Sequence, residues 1–195
     1  MLKNLLMTRR IPPLETSRLL IRELTMDDLE NIHRILNAAF DNDEPLEGYG
    51  RWLQWTVLGY RMFEVLEQPH YGERGIVLKE TGELIGAVGI VPYLGNFNRV
   101  AAFNRPPDAL ATAEIGLFWA IDPAHQRNSY APEAAHAVIN HLFTHEKLGR
   151  IIATTGYDNL PSQSVMRKLG MTVERIEPPQ IPDLFVIGIL ENPNQ

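Results

Sequence analysis

The stretch AEIGLFWAIDPAHQRNSYAPEAA, residues 113–135, contains the signals of a strand, a loop and a helix start in one continuous run. Its first part, Glu114 to Ile121, is nearly all apolar, as is typical of a central strand. Asp122 and Pro123 end that strand, and Pro132 followed by Glu133 is the pattern of a helix start. Because a helix N-terminus presents unpaired N–H groups and the positive end of its dipole, this loop is suited to bind a pyrophosphate.

The regions on either side predict a mixture of strands and helices. Before the stretch, a strand is followed by a helix that Thr25 caps, a polar break, a second helix and a hairpin with Gly82 at its turn. A long irregular connection then leads into the stretch, and a strand, a helix and two strands follow it. The predicted bounds are a strand at 19–24, a break at 41–50, a helix at 52–67, a hairpin at 75–79 and 84–90, an irregular segment at 92–111, a helix from Pro132 towards Gly149, a strand at 150–155, a helix at 161–168, and strands at 172–176 and 184–190.

Composition excludes several classes of protein. The chain has 195 residues, no cysteine and a formal net charge of −6, which excludes disulfides, thiolate metal sites and a cysteine nucleophile. The acidic balance argues against a nucleic-acid or anionic-membrane binder, and no stretch is apolar enough to span a bilayer. We expect a cytoplasmic protein with an N-terminal extension at residues 1–13 and a single domain at residues 14–195.

Three motifs carry a resemblance to a known family. The run Gln126 to Ala131 before Pro132 resembles the Gln/Arg-x-x-Gly-x-Gly/Ala pyrophosphate loop of the GNAT superfamily of N-acetyltransferases. Leu14 to Arg22 resembles the opening strand of the RimJ/RimL-like branch, the ribosomal-protein-alanine acetyltransferases, and Asn159 to Met171 resembles the ending of that branch. The three motifs occur in the right order and together cover almost the whole chain after residue 14.

The resemblance implies an α+β fold, in which a splayed, mostly antiparallel sheet is flanked by helices and acetyl-CoA lies in the splay between the strands that begin at Glu114 and Arg150. It implies an acyl-CoA-dependent N-acyltransferase that transfers acetyl directly to a primary amine, with no metal. The pantetheine would pair with the central strand, the pyrophosphate would bind the loop amides, and Asn159 would reach the pantetheine arm. The implied cofactor-binding residues are Leu117, Phe118, Trp119, Ala120, Ile121, Gln126, Arg127, Asn128, Ser129, Tyr130, Ala131, Asn159 and Ser162.

Two catalytic roles follow from the resemblance. Glu114 is the candidate general base, because an amine near pKa 10 must lose a proton before it attacks, and a solvated strand entry is the alternative. Ser162 is the candidate hydroxyl near the departing thiolate, and a helix-start hydroxyl is the alternative. Two positions depart from the family pattern. Ser129 replaces a glycine, and Met166 stands where many members carry a tyrosine acid.

Other features leave alternatives open. His141 and His145 have a metal-compatible spacing, but a helix edge is favoured because no third ligand is evident. Aromatic residues of the second helix and neighbouring loops are either core or acceptor pocket, and an acidic run is either a solvated loop or an attraction for a cationic amine. These residues are Tyr49, Trp52, Trp55, Tyr60, Phe97 and Phe103, and Asp41, Asp43, Glu44 and Glu47.

The acceptor is a protein N-terminus, a lysine or a small amine, and the acyl chain and oligomeric state, a homodimer included, stay open. The functional alternatives are a catalytically silent acyl-CoA sensor of the same fold and an unrelated mixed-sheet protein.

Overall fold

The structure is a computed structural model, and it describes residues 10–180 and 184–194. Eight strands and four helices follow the predicted order of elements. The strands are β1 (Leu14–Glu15), β2 (Leu19–Glu23), β3 (Gly72–Leu78), β4 (Leu84–Gly95), β5 (Thr112–Ile121), β6 (Arg150–Thr155), β7 (Thr172–Gln180) and β8 (Leu184–Glu191). The helices are α1 (Leu29–Phe40), α2 (Leu46–Val65), α3 (Tyr130–Thr144) and α4 (Leu160–Lys168).

The strands form one mixed sheet in the order β1-β2-β3-β4-β5-β6-β8-β7. The pairs β1 with β2, β2 with β3, β3 with β4, β6 with β8 and β7 with β8 are antiparallel, whereas β5 pairs with β6 in parallel. The predicted α+β fold, with a mixed and largely antiparallel sheet flanked by helices, is therefore confirmed.

The chain clusters into two compact units. The first contains the described residues up to Ile90 and Phe118–Ala137, and the second contains Val91–Leu117 and the described residues from Val138 onwards. In the first unit, α1 and α2 pack through a core that includes Ile32, Ile35 and Leu53. Thr25 forms the predicted capping box with Asp28, which satisfies two backbone donors before α1 begins.

The second unit has its own apolar core. Phe97 and Val100 lie in the connection between β4 and β5 and are fully buried with Ile152, Ile187 and Ile189. The rings of Phe97 and Phe103 stack with centroids 4.8 Å apart. The connection predicted as irregular is therefore partly ordered, because its aromatic side chains reach a core of their own.

Several predicted boundaries differ from the observed ones. The predicted polar break at residues 41–50 is wrong from Leu46 onwards, because α2 begins there with Pro45 in the extended conformation at its N-cap. Helix α3 begins at Tyr130, two residues before the predicted start at Pro132. Strand β4 continues to Gly95 and β7 to Gln180. The predicted extension lies outside the described residues up to residue 9, and Ile11 within it is buried.

Among the helices of the described ranges, none is long and apolar enough to cross a membrane.

Candidate active site

The loop between β5 and α3 is held by side-chain hydrogen bonds to backbone carbonyl groups. The amide of Gln126 donates to the Ile121 carbonyl at 3.1 Å, and the amide of Asn128 donates to the carbonyls of His125 and Gln126. Asp122 starts the turn by accepting a hydrogen bond from the N–H of Ala124 at 3.0 Å. These side-chain hydrogen bonds stabilise the conformation of the loop, which has no strand pairing to hold it.

Two residues of this loop have left-handed backbone conformations. Arg127 has a φ of 64° and Ser129 a φ of 62°. Ser129 precedes α3, and its carbonyl accepts the first helical hydrogen bond, from the N–H of Glu133 at 3.2 Å. A left-handed backbone costs a non-glycine residue about 1 to 2 kcal/mol, so a glycine, which the resemblance implied at this position, would avoid the strain that Ser129 carries.

The start of α3 is suited to an anion. The first turn of an α-helix has N–H groups without an intrahelical partner, and Pro132 within that turn has no N–H at all. The side chain of Arg127 is exposed and makes no ion pair with any described residue. The N–H groups of the first helical turn, the helix dipole and a guanidinium therefore lie within a few residues of one another, whereas the Gln126 N–H donates to the Pro123 carbonyl at 3.4 Å.

The hairpin of β1 and β2 fixes the first turn of α3. The carboxylate of Glu133 accepts hydrogen bonds from Thr16, from the Arg18 N–H and from the Arg18 guanidinium, which lies 4.5 Å from the Tyr130 ring centroid. The Arg18 side chain also donates to the Asn128 carbonyl at 3.0 Å. These hydrogen bonds lower the pKa of Glu133 against the effect of its burial. The motif at Leu14 to Arg22 thus has a structural role, because its side chains bind the loop before α3 and the first turn of that helix.

The central strand β5 has one described ladder pair with β6, between Gly116 and Ile152. The following segment, Leu117 to Ile121, continues as strand without a further ladder pair on β6 in the part of the chain that the structure describes. Leu117, Ala120 and Ile121 are buried, whereas Phe118 and Trp119 are partly exposed. An unpaired strand edge of this kind can accept an extended ligand as an added strand.

A cavity of about 380 Å³ lies in the first unit, between α1, α2 and the sheet. Its wall contains four aromatic rings and two carboxylates. The lining residues are Leu36, Phe40, Glu44, Gly48, Tyr49, Trp52, Glu73 and Phe118. Tyr49 and Trp52 line the cavity and also pack against the core of the first unit, so the two alternatives do not exclude each other. Trp55 is 73% exposed, whereas Tyr60 is buried and its hydroxyl contacts the backbone of Leu24 and Glu73.

Glu73 lies at the start of β3 and is partly buried in this cavity. Burial raises the pKa of its carboxyl, and hydrogen bonds from its own N–H and from Thr56 oppose the increase only in part. No described residue forms an ion pair with Glu73. A carboxylate is therefore held in an aromatic pocket without a cation.

Glu114, the candidate base, lies near the start of β5 in the second unit. Its side chain is 14% exposed, and one carboxylate oxygen lies 3.5 Å from the Arg150 guanidinium. Burial raises the pKa of Glu114, and Arg150 lowers it in part. Arg150 also pairs with Glu191 at 2.6 Å and stacks over the Phe103 ring. The alternative interpretation of Glu114 as a solvated strand-entry residue therefore does not fit its burial beside Arg150.

Asn159 and Ser162 lie at the start of α4. The Asn159 side chain accepts a hydrogen bond from the Ser162 N–H at 3.0 Å, so it caps the helix. The Ser162 hydroxyl has no hydrogen-bond partner among the described residues, and the side chain is partly exposed. Met166 is fully buried and packs against Gly188, so it belongs to the core of the second unit. A methionine at this position is therefore explained by packing.

His141 on α3 and His145 just after that helix do not form part of a metal centre among the described residues. The rings of His141 and His145 are stacked with centroids 4.6 Å apart, and His141 is buried rather than exposed at a helix edge as expected. Within the described residues no group of three or more His, Asp or Glu side chains could hold a metal ion.

Comparison with known proteins explains the loop and the central strand together. Residues 18–172 match the family model described as "Acetyltransferase (GNAT) domain". The chain belongs to the GNAT acetyltransferase family.

Its relatives include an uncharacterized N-acetyltransferase, YoaA, of Bacillus subtilis, which is 34% identical over 85% of each chain. The ribosomal-protein-serine acetyltransferase of Escherichia coli is 32% identical over 61% of this chain and 56% of its own. The solved structure of RimL, a ribosomal alpha-N-protein acetyltransferase in complex with coenzyme A, has the same fold, with a TM-score of 0.63, 15% identity and coverage of 92% of this chain and 95% of its own.

Membership of this family establishes the chain as a GNAT N-acetyltransferase that uses acetyl-CoA as its cosubstrate. The predicted GNAT family, the enzyme class and the cosubstrate are confirmed. The three sequence motifs indicated the family correctly because each belongs to a different part of the same fold.

Glu73 was not predicted from the sequence. We expected the hairpin to begin at Gly75, whereas β3 begins at Gly72 and places Glu73 on the same face of the strand as Gly75. Leu24 and Leu84, two core residues, lie against Gly75 on that face. The signal that was missed is the position of Glu73, which lies two residues before the core-facing Gly75 and therefore on the same face of the strand.

Proposed function

We propose that this GNAT enzyme transfers the acetyl group of acetyl-CoA directly to a primary amine. The observation that carries the proposal is the loop before α3, in which two left-handed residues precede a helix N-terminus. In the transfer, the amine nitrogen attacks the thioester carbonyl, a C–N bond forms, the C–S bond breaks and the CoA thiolate leaves. The chain contains no cysteine that could form an acyl-enzyme intermediate, which favours direct attack.

For the cosubstrate, we propose that the pyrophosphate binds the backbone N–H groups from Gln126 to Ala131. The helix dipole of α3 and the Arg127 guanidinium, which has no ion-pair partner among the described residues, support this role, because both favour a negative charge at the loop. The pantetheine pairs with the segment Leu117 to Ile121, which the single pair between β5 and β6 supports. Asn159 keeps its amide N–H groups for the pantetheine arm while its oxygen caps α4.

For catalysis, we propose that Glu114 accepts the proton of the amine, directly or through a water molecule. Its raised pKa supports this role, because a base is most effective when its pKa approaches the working pH. The Ser162 hydroxyl, which lacks a partner among the described residues, donates a hydrogen bond to the departing thiolate. A thiolate near pKa 8.5 is also able to leave without a proton.

The acceptor is a protein N-terminus or a small-molecule amine. The Escherichia coli relative is a ribosomal-protein-serine acetyltransferase, which supports the first class. The cavity with two carboxylates and aromatic walls supports the second. The cysteine-free composition supports action in the cytoplasm. Sedimentation distinguishes a monomer from a homodimer.

The test combines binding and turnover. Thermal shift with CoA should show stabilisation of about 2.7 kcal/mol at a hundred times the dissociation constant, and acetyl-CoA with an amine panel should release free CoA. A stabilised protein that releases no CoA with any amine would favour the silent sensor, and no shift with CoA or acyl-CoA would sink both proposals.

Arg127→Glu tests the pyrophosphate position. The charge reversal should weaken CoA binding about tenfold or more, equivalent to about 1.4 kcal/mol, because it places a carboxylate beside a pyrophosphate. Arg61→Glu on the exposed face of α2 is the control with the same change in net charge. Equal CoA affinity in the two variants would remove Arg127 from the cofactor site.

A further inference from the structure

The cavity of the first unit combines features that recognise an organic cation. Phe40 and Phe118 are stacked with centroids 5.7 Å apart, and Tyr49 and Trp52 meet edge to face at 5.9 Å. Glu44 and Glu73 are the charged residues of the lining, which contains no lysine or arginine. Aromatic faces attract cations through their quadrupoles, and carboxylates attract cations through their charge. Both therefore favour the same kind of ligand.

Two glycines, Gly89 and Gly48, lie next to the side chains of Glu73 and Glu44. A side chain at Gly89 would lie 3.1 Å from Cγ of Glu73 and 3.2 Å from the Phe118 ring. A Cβ atom at Gly48 would overlap the end of the Glu44 side chain, which is flexible and can move aside. The position of Glu73 therefore depends on the missing Cβ atom at Gly89, and the Thr56 hydroxyl orients the Glu73 carboxylate from α2.

Glu73 differs from the other well-buried acidic groups of the first unit in lacking a cation. Asp28 is paired with Arg22 at 2.8 Å, Asp122 with Arg34 and Glu133 with Arg18. In the described part of the chain Glu73 has hydrogen bonds but no counter-charge. A buried carboxylate costs free energy unless it is paired, so an uncompensated one at a cavity wall indicates a partner that arrives with the ligand.

We propose that this cavity selects a small arylalkyl amine in its ammonium form as the acetyl acceptor, with Glu73 as the specificity-determining residue. On binding, the ammonium group donates a hydrogen bond to the Glu73 carboxylate, and the rings of Trp52, Tyr49 and Phe118 cover the apolar part of the ligand. Before transfer, the nitrogen gives one proton to the base of the proposed function, and the free amine attacks the thioester. This inference rests on the proposed function for the identity of the reaction, although binding of the cation does not depend on it.

One residue connects the cavity with the proposed cofactor strand. Phe118 lines the cavity, and it also belongs to the β5 segment to which we assign the pantetheine. The volume of about 380 Å³ is at the small end of the range for small-molecule pockets. We therefore favour a compact amine over the N-terminal segment of a protein.

Direct binding tests the inference without turnover. Calorimetry with 2-phenylethylamine should give a dissociation constant at least tenfold lower than with 2-phenylethanol, which has the same ring and chain but no charge at neutral pH. Glu73→Gln should abolish that tenfold preference, and Glu80→Gln, an exposed carboxylate in the turn before β4, should retain it. Equal binding of the amine and the alcohol by the unchanged protein would overturn the proposal.

Turnover then connects the cavity with the reaction. Glu73→Gln should raise the KM for 2-phenylethylamine about tenfold while the KM for acetyl-CoA changes less than twofold, and Trp52→Leu should raise the acceptor KM as well. Unchanged acceptor KM in Glu73→Gln, or a serine N-terminal peptide that is acetylated in preference to every small amine, would refute the selection. Cation binding without CoA release from any amine would instead refute the proposed function, so the two failures are distinguishable.

Discussion

Glu73 and Glu114 occupy similar positions in different units of the molecule. Each lies near the start of a strand, each is partly or largely buried, and burial raises the pKa of each carboxyl. Their partners differ. Glu114 lies beside Arg150, which in turn pairs with Glu191, whereas Glu73 has hydrogen bonds from Thr56 and its own N–H and no described cation.

The difference indicates different tasks for two desolvated carboxylates. A neighbouring guanidinium keeps the charged form of Glu114 accessible, so its carboxylate can gain and lose a proton during turnover. Glu73 has no such support, and its charge is compensated when a cationic ligand binds. Desolvation is thus common to both sites, and the counter-charge is what distinguishes a proposed base from a proposed binding residue.

The largest expected effect is on the proposed base. Glu114→Gln keeps the size of the side chain but removes its ability to accept a proton, so kcat should fall about a hundredfold or more. The KM for acetyl-CoA should change little, because the variant leaves the loop before α3 intact. Steady-state kinetics with the best amine of the panel measure both quantities. An unchanged kcat in Glu114→Gln together with a large loss of kcat in Glu73→Gln would contradict the assignment of Glu114 as the base and of Glu73 as the binding residue.

The next prediction uses the neighbours of Glu114. Arg150 lowers the pKa of Glu114 and Glu191 raises it. Removing the charge of one or the other should therefore shift this pKa in opposite directions. Since the base must be ionised, activity falls as the pH drops through its pKa. Arg150→Met should move the acid limb of the kcat/KM profile to higher pH, and Glu191→Gln should move it to lower pH. Two shifts of the same sign would show that another group controls this limb.

A smaller effect is expected on the stability of the first unit. The folded-state pKa of Glu73 is raised, so ionisation disfavours the folded state as the pH rises from the ordinary carboxyl value of 4.5 through the raised one. Glu73→Gln removes this cost and should stabilise the protein at neutral pH by about 1 kcal/mol, or roughly 2–4 °C in Tm.

The gain should disappear in acid, where the native Glu73 is protonated. Thermal unfolding at a series of pH values measures this dependence, and Glu80→Gln should show no comparable gain. A variant of Glu73 that is destabilised at neutral pH would identify it as a structural residue and would remove its contrast with Glu114.

The smallest effect lies outside both carboxylates. Ser129→Gly removes the strain of a left-handed serine but adds chain entropy to the unfolded state, so the free energy of unfolding should rise by about 1 kcal/mol or less. Affinity for CoA should stay within about threefold of the unchanged protein, since the backbone already has the required conformation. A tenfold gain in CoA affinity on titration would show that the serine weakens the cofactor site.

Much of the fold was predictable because local signals agreed with the final structure. The Thr25 capping box, the hairpin around Gly82 and the order of elements from β5 to β8 were all expected from the sequence. The start of α2 was not, because Leu46 to Gly50 contains two glycines and reads as a break. Packing of α2 against α1 overrides the low helix propensity of those residues.

The candidate site was predictable where it consists of consecutive residues. The loop before α3 could be recognised from Gln126 to Ala131, whose spacing is local. The cavity could not, because its lining comes from α1, the loop after it, α2, β3 and β5, which are spread over much of the chain. The aromatic residues of α2 gave only the alternatives of core and pocket, since helical spacing is the same for both.

By itself, the sequence determined the family, the acetyl-CoA cosubstrate and a chemistry without cysteine, because these depend on short motifs and on composition. Only the tertiary structure decided the environments of the carboxylates. It buried Glu114 beside Arg150, left Glu73 without a cation in an aromatic cavity and put Met166 in the core. The physical reason is that burial and charge pairing are set by neighbours distant in sequence, and these neighbours decide what an ionisable side chain can do.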